Sequence, residues 1–185
     1  MKHVLFFLLI ASSYPSLLSA QSETPETPQA PTTELAEELT PEEQKRRERL
    51  LKSGKGEEHP CPPGGIAMGG YDLVSYFQDD QPKRGLETYE VSRGNCAYRF
   101  ASEKNRDAFR ADPERYLPSY GGWCATALAM GRLTCPDFTN FKVENDQLLL
   151  FEVTAFTNGR MIWENNSERL RQRADYNFDL LEKSE

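Results

Sequence analysis

Histidine is nearly missing from this chain. Of the two in 185 residues, His3 lies in an N-terminal apolar segment and His59 lies on the approach to the region that reads as folded. A nucleophilic cysteine or serine inside the domain would therefore have no imidazole base, and a closed zinc site, which wants four Cys or His ligands, has no histidine to draw on. The four cysteines, Cys61, Cys96, Cys124 and Cys135, are singletons with no Cys-x-x-Cys pair, so thiol-redox catalysis lacks a neighbouring resolving thiol. An excess of positive charge is missing too: 29 Asp and Glu against 22 Lys and Arg give a formal net charge of -7 without a basic cluster. That argues against nucleic acid or an anionic membrane as the main partner. The apolar run Val4 to Ile10 is too short to cross a bilayer and has no later counterpart, so no membrane span is expected.

What is there begins with that run. Lys2 and His3 precede it, and Leu18-Ser19-Ala20 follow; the pattern reads as a secretory signal, residues 1–20, cut after Ala20, which predicts a periplasmic or secreted protein. Residues 21–59 read as an acidic, Pro-rich tether with too few apolar residues to fold. Within it, Thr40 and Pro41 open a short charged helix to about Lys52; with Leu50 and Leu51 as its only apolar face, it reads as a solvated spacer. The domain proper is expected over 60–183. Leu86 to Ser92 and Cys96 to Phe100 read as one hairpin, with Cys96, Tyr98 and Phe100 on one face, and Phe141 to Glu144 with Gln147 to Phe151 as a second across Asn145-Asp146. Helices are predicted over Glu103 to Arg110, after Asp112-Pro113, after Cys124 as far as Gly131, and from Thr154 to the end with a break near Asn165-Asn166. In this last stretch Phe156, Met161, Ile162, Trp163, Leu170, Ala174, Phe178 and Leu181 recur at helical spacing. The fold class is α+β: short antiparallel hairpins packed on several short helices and a C-terminal helix.

The chain is organised around Tyr120-Gly121-Gly122-Trp123-Cys124-Ala125. The two glycines turn the chain and Trp123-Cys124 open a helix, where the dipole favours thiolate and lowers the thiol pKa. The alternative is a buried packing pair under a glycine turn. Asp72 reads as the cap of a helical turn over Tyr71 to Phe77, or as a proton acceptor. Tyr71, Asp72, Tyr120, Gly121, Gly122 and Trp123 are the residues expected to line a small pocket. Four cysteines in an oxidising compartment predict disulfides, and all three pairings stay open; a Cys124–Cys135 bridge would contribute on the order of 3 kcal/mol and silence Cys124.

Three stretches in order, Gly69-Gly70-Tyr71-Asp72-Leu73-Val74-Ser75-Tyr76-Phe77, Phe100 to Phe109 and Asp112 to Ala125, resemble the exported, single-domain branch of the YHS domain family. The likeness extends to Trp163 and Ala174-Asp175-Tyr176-Asn177, covering roughly Ile66 to Leu181. It departs at Leu73, where relatives have Pro, at Trp123, where they have Tyr, and at Phe178, where they have Trp; Cys61, Cys96 and Cys135 lie outside the pattern. The resemblance implies a small α+β domain whose relatives are described as metal-associated, since similar modules occur beside copper-transporting ATPases and in some monooxygenases. No reaction is assigned to the exported branch.

The first expectation is a binding module holding a soft metal ion of the copper type, or a small ligand, near Cys124. Thioether donors Met68 and Met130 flank the two motifs. The alternatives are a disulfide-stabilised structural or interaction domain with an unknown protein partner, and a thiol-dependent enzyme built on Cys124.

Overall fold

The computed structural model describes residues 38–56, 59–62, 64–79 and 81–183. The expected signal segment 1–20 and the tether as far as residue 37 lie outside the described residues. The architecture is α+β, with helices and two separate two-stranded antiparallel sheets.

Helix α1 (Pro41–Ser53) is opened by a full capping box: Glu43 N donates to Thr40 Oγ1, and the Glu43 carboxylate accepts Thr40 N at 2.9 Å. These satisfy donors that a helix start leaves without partners. The expectation of a solvated spacer is overturned. Leu50 is fully buried among Leu128, Ala129 and Leu133 of the domain core, and Ser53 Oγ accepts Leu133 N at 2.9 Å. Arg46 Nε adds a polar tie, donating to Asn177 Oδ1 of the C-terminal helix at 2.6 Å.

The rest of the chain states one architectural unit twice. In the first, a Gly-Gly turn (Ala67–Gly70) and a 3-10 turn (Ser75–Phe77) lead to strands β1 (Leu86–Arg93) and β2 (Cys96–Phe100), then helices α2 (Glu103–Ala111) and α3 (Pro113–Tyr116). In the second, a Gly-Gly turn (Ser119–Gly122) and helix α4 (Ala125–Ala129) lead to β3 (Asp137–Glu144) and β4 (Gln147–Phe151), then α5 (Gly159–Asn165) and α6 (Ser167–Glu182). Every register pair of the second hairpin lies 51 residues after one of the first, including the irregularity: Leu86 pairs Phe100 and Glu90 pairs Arg99, as Asp137 pairs Phe151 and Phe141 pairs Leu150. Even the parallel bridge onto each hairpin recurs, Ile66 to Ala97 and Pro118 to Leu148.

The two units share a wall rather than merely adjoining. Along β4, Leu148 and Leu150 point into a core built with Met68, Leu73, Val74, Tyr98, Phe100 and Phe109, whereas Leu149 and Phe151 point into a second core with Trp123, Leu128, Trp163 and Ala174. Alternation of side chains along a strand makes this possible, and the unbroken run Leu148 to Phe151 is its sequence trace. The helix expected from Thr154 begins only at Gly159, capped by Asn158 Oδ1 accepting Arg160 N at 3.0 Å. Phe156 and Met161, two of the residues that recur at helical spacing, are 96% and 64% exposed. Among the described residues no helix is long and apolar enough to cross a membrane.

Candidate functional site

In the second Gly-Gly turn, Tyr120, Gly121 and Gly122 all take the left-handed conformation, with φ of 59, 61 and 85°. In the first, Met68, Gly69 and Gly70 do the same, at 55, 57 and 79°. Only glycine holds such angles without cost, so each turn carries one strained side chain, Met68 or Tyr120, at roughly 1–2 kcal/mol. Packing retains them: Met68 is buried, and Tyr120 is buried with its hydroxyl donating to Asp175 Oδ1 at 2.7 Å. Burial, followed by that carboxylate, pushes the Tyr120 phenol above its ordinary range.

Each turn delivers a buried acceptor to the equivalent place in its own unit. After the first, Asp72 Oδ1 accepts Val74 N at 2.9 Å and Ser75 N at 3.4 Å, while Oδ2 accepts Ala101 N at 2.9 Å and Asn105 Nδ2 at 2.6 Å. After the second, Cys124 Sγ accepts Ala127 N at 3.3 Å and Glu152 N at 3.2 Å. Ala127 stands to Cys124 as Ser75 does to Asp72, and Glu152 follows β4 as Ala101 follows β2. Their backbone amides match as well, Asp72 N donating to Lys83 O and Cys124 N to Thr134 O. Both side chains are pins. Each caps the turn that follows it and ties that turn to the end of the neighbouring hairpin.

Asp72 is therefore a cap, one of the two roles read from its position. Cys124 caps α4 rather than opening it as a helical residue, and its expected acidity is reversed: burial pushes the thiol above its ordinary value, outweighing the two amide hydrogen bonds that pull it down. A five-residue helix offers little dipole to oppose desolvation. Cys124 is fully buried, and Gly159 stands close enough that a Cβ there would sit 3.5 Å from Sγ.

The three expected sulfurs have different surroundings along the chain. Met130 is 47% exposed at the C-terminal end of α4, about 9 Å along the chain axis from the capping residue at a helical rise. Met68 packs in the other core, against Gly122. Among the described residues no group of three or more His, Cys, Asp or Glu is placed to hold a metal ion. The residues expected to line a pocket have these neighbours. Tyr71 lies under the Arg84 guanidinium, 3.9 Å from ring centre to Cζ; Gly121 faces the Phe178 ring, Gly122 faces Pro60 and Met68, and Trp123 is buried beside His59. An open recess of about 480 Å³ lies elsewhere, between Tyr76, Phe77, Asp79, Phe141, Lys142 and Arg160.

Of the three cysteine pairings, the structure selects Cys61–Cys96 (Cα–Cα 5.8 Å) and leaves Cys124 outside any disulfide. Cys135 Sγ faces the Pro136 carbonyl at 3.7 Å. Cys124 is thus withheld from solvent by burial and not by a bridge to Cys135.

Sequence reasoning missed Asn105, whose amide completes the Asp72 site, and the segment after β4. Where β2 reaches its helix cap through Ala101 alone, β4 reaches Asn158 through Glu152 and five further residues, Val153–Thr157. The signal that would have exposed the segment is the recurrence of a Gly-Gly-aromatic step 52 residues apart, at Gly69-Gly70-Tyr71 and Gly121-Gly122-Trp123. Aligning on it sets Asp72 against Cys124 and isolates the extra five residues. No family model, no curated protein and no solved structure matches the chain.

Proposed function

We propose that the chain is a disulfide-stapled interaction module of the YHS type, and that it meets a protein partner through the segment Val153–Thr157. One observation carries this reading: the second unit has five residues that the first closes without, and they present Phe156 at 96% exposure. The segment is tied to itself by hydrogen bonds. Thr154 N donates to Thr157 O at 2.8 Å, Thr154 Oγ1 accepts Phe156 N and Thr157 N at 3.3 and 3.0 Å, and Val153 pairs with Asn158. A large aromatic held outward on a pre-ordered turn loses little entropy on binding, which is how anchor residues of interfaces work. Val153 and Met161, near it in sequence, are exposed as well. The charges nearby are paired, Arg132 with Glu152 and Arg160 with Glu164, which favours an apolar protein pocket over an anionic surface. An oxidising, extracytoplasmic setting agrees with the Cys61–Cys96 disulfide.

Holding of a soft metal near Cys124 has no comparable observation behind it: the sulfur accepts two backbone amides, and Met130 is half-exposed at the other end of α4. The interaction reading is tested by placing a photo-crosslinking phenylalanine analogue at position 156 and, as a control, at the half-exposed Tyr176. Adducts are expected from 156 alone, and Phe156→Ser is expected to leave stability within about 0.5 kcal/mol of the parent. Equal adducts from both positions, or a stability loss above about 1 kcal/mol that makes the ring structural, would refute it.

A further inference from the structure

The segment His59-Pro60-Cys61 crosses the seam where the two Gly-Gly turns meet. The Pro60 carbonyl accepts Met68 N, from the first turn, at 2.6 Å. Pro60 itself fills the space against the second turn, such that a Cβ on Gly122 would come within 2.9 Å of it. The His59 ring stands edge-on to the Trp123 ring, 5.0 Å between centroids. Three consecutive residues with no regular secondary structure thus cover both turns.

What fastens this cover is uneven. On its far side the chain is held to β2 by backbone pairing, with Gly64 N donating to Asn95 O, Ala97 N donating to Gly65 O, and Ile66 bridged to Ala97. On its near side α1 is anchored through Leu50. Among the described residues, the contacts that hold the cover between these anchors are the amide hydrogen bond from Met68 to Pro60, the His59–Trp123 ring contact, the packing of Pro60 and a long contact of Tyr98 Oη with Cys61 Sγ at 3.8 Å. Cys61 N also donates to His59 Nδ1 within the segment. Together these are a modest gain against the entropy lost in ordering three residues. The Cys61–Cys96 disulfide decides the balance, because it fixes the end of the segment beside its docking place and shrinks the freedom that release would gain.

We propose that Cys61–Cys96 is a redox latch: its reduction frees His59–Cys61 as a strap and uncovers the Trp123, Gly122 and Met68 seam while the fold persists. Access fits the step, since Cys61 is half-buried and Cys96 buried. A thiolate of an external dithiol attacks Cys61 Sγ; the sulfur–sulfur bond breaks, and its electron pair leaves on Cys96, which takes a proton. The second thiol of the reductant then closes on the mixed disulfide, releasing the reductant as its cyclic disulfide and Cys61 as a thiol. Two electrons and two protons pass to the protein. The product is a different surface: a buried indole and a thioether brought to solvent at the junction of the two units.

The test uses the full chain with and without dithiothreitol, read by hydrogen exchange at single amides and by tryptophan emission. On reduction, exchange at the Met68 amide is expected to accelerate on the order of tenfold or more, while the Cys124 and Ala127 amides keep their protection. Emission should shift to the red, and the shift should vanish in Trp123→Phe. The double variant Cys61→Ser/Cys96→Ser should show the open behaviour without reductant, which removes any contribution from Cys124 or Cys135. The proposal is overturned if Met68 exchange is unchanged in both the reduced protein and the double variant, since the strap then holds without its latch. It is equally overturned if Cys124 and Ala127 lose protection together with Met68, since the disulfide is then a staple of the whole fold.

Discussion

Replacing Cys124 by Ala would measure how much the second pin contributes. The substitution deletes the acceptor of Glu152 N and Ala127 N, at 3.2 and 3.3 Å, inside a fully buried site. An unsatisfied buried amide costs about 1–3 kcal/mol, and the lost burial of one sulfur adds about 1 kcal/mol by analogy with a methylene. Because the gap beside Gly159 is too small for bulk relaxation, a loss of about 3 kcal/mol is expected for Cys124→Ala. Cys124→Ser keeps an acceptor on a shorter arm and should lose about 1 kcal/mol. Urea unfolding monitored at constant m-value reads both. The pH dependence supplies a second axis. Since burial raises the folded-state thiol above its ordinary 9.0, both states are protonated below that pH and the stabilisation is fully present. As pH climbs past 9 the unfolded thiol ionises while the folded one holds its proton, so stability falls, by at most about 1.4 kcal/mol per pH unit, until the folded thiol also ionises. The parent should therefore lose its advantage over Cys124→Ser as pH rises through this window. If Ala and Ser are equally harmless, the capping role is wrong; if the folded thiol ionises below 9.0, the amide hydrogen bonds outweigh desolvation and the burial argument is wrong.

Two further outcomes follow from packing alone. Gly122→Ala places a Cβ 2.9 Å from Pro60 and 3.1 Å from Met68 Sδ at a φ of +85°, so backbone strain and overpacking together should lower stability by about 2–4 kcal/mol in thermal or urea melts; a neutral result would mean that the turn and its cover can move apart freely. Leu50→Ala removes the buried anchor of α1 and should cost about 2–3 kcal/mol with faster proteolysis within residues 41–56, whereas unchanged cleavage would show that α1 docks by other means.

The sequence exposed what local chemistry determines and concealed what the second unit borrows from the first. Both hairpins were legible because alternation and the turn pairs Gly94-Asn95 and Asn145-Asp146 are short-range signals, and α2 was legible from Ser102, whose Oγ accepts Asn105 N at 3.2 Å. The docking of Leu50 was not, since two adjacent leucines among charges mark a docked helix only when the receiving groove is known. The acidity of Cys124 was misjudged for a related reason: its position at a helix start is local, but its desolvation comes from β4 and α5, distant in sequence. Phe156 fitted a helical period by coincidence, and only the Thr154 and Thr157 hydrogen bonds reveal a turn. The disulfide was foreseen as a class, not as a pairing.

A chain that builds the same joint twice must also avoid assembling it crosswise. The first turn could in principle seat itself on the second hairpin, within one molecule or between two, because backbone register offers the same bridges in both places. The side chains forbid the exchange. Asp72 in the second seat would lack the Asn105 amide and would press its larger carboxyl toward Gly159, while Cys124 in the first would leave that amide without its acceptor. The covalent tie from Cys61 to Cys96 further commits the first turn to its own hairpin. The carboxylate in one half and the thiol in the other thus act as unlike keys, giving a duplicated fold a single way to close and a barrier against strand-exchanged dimers.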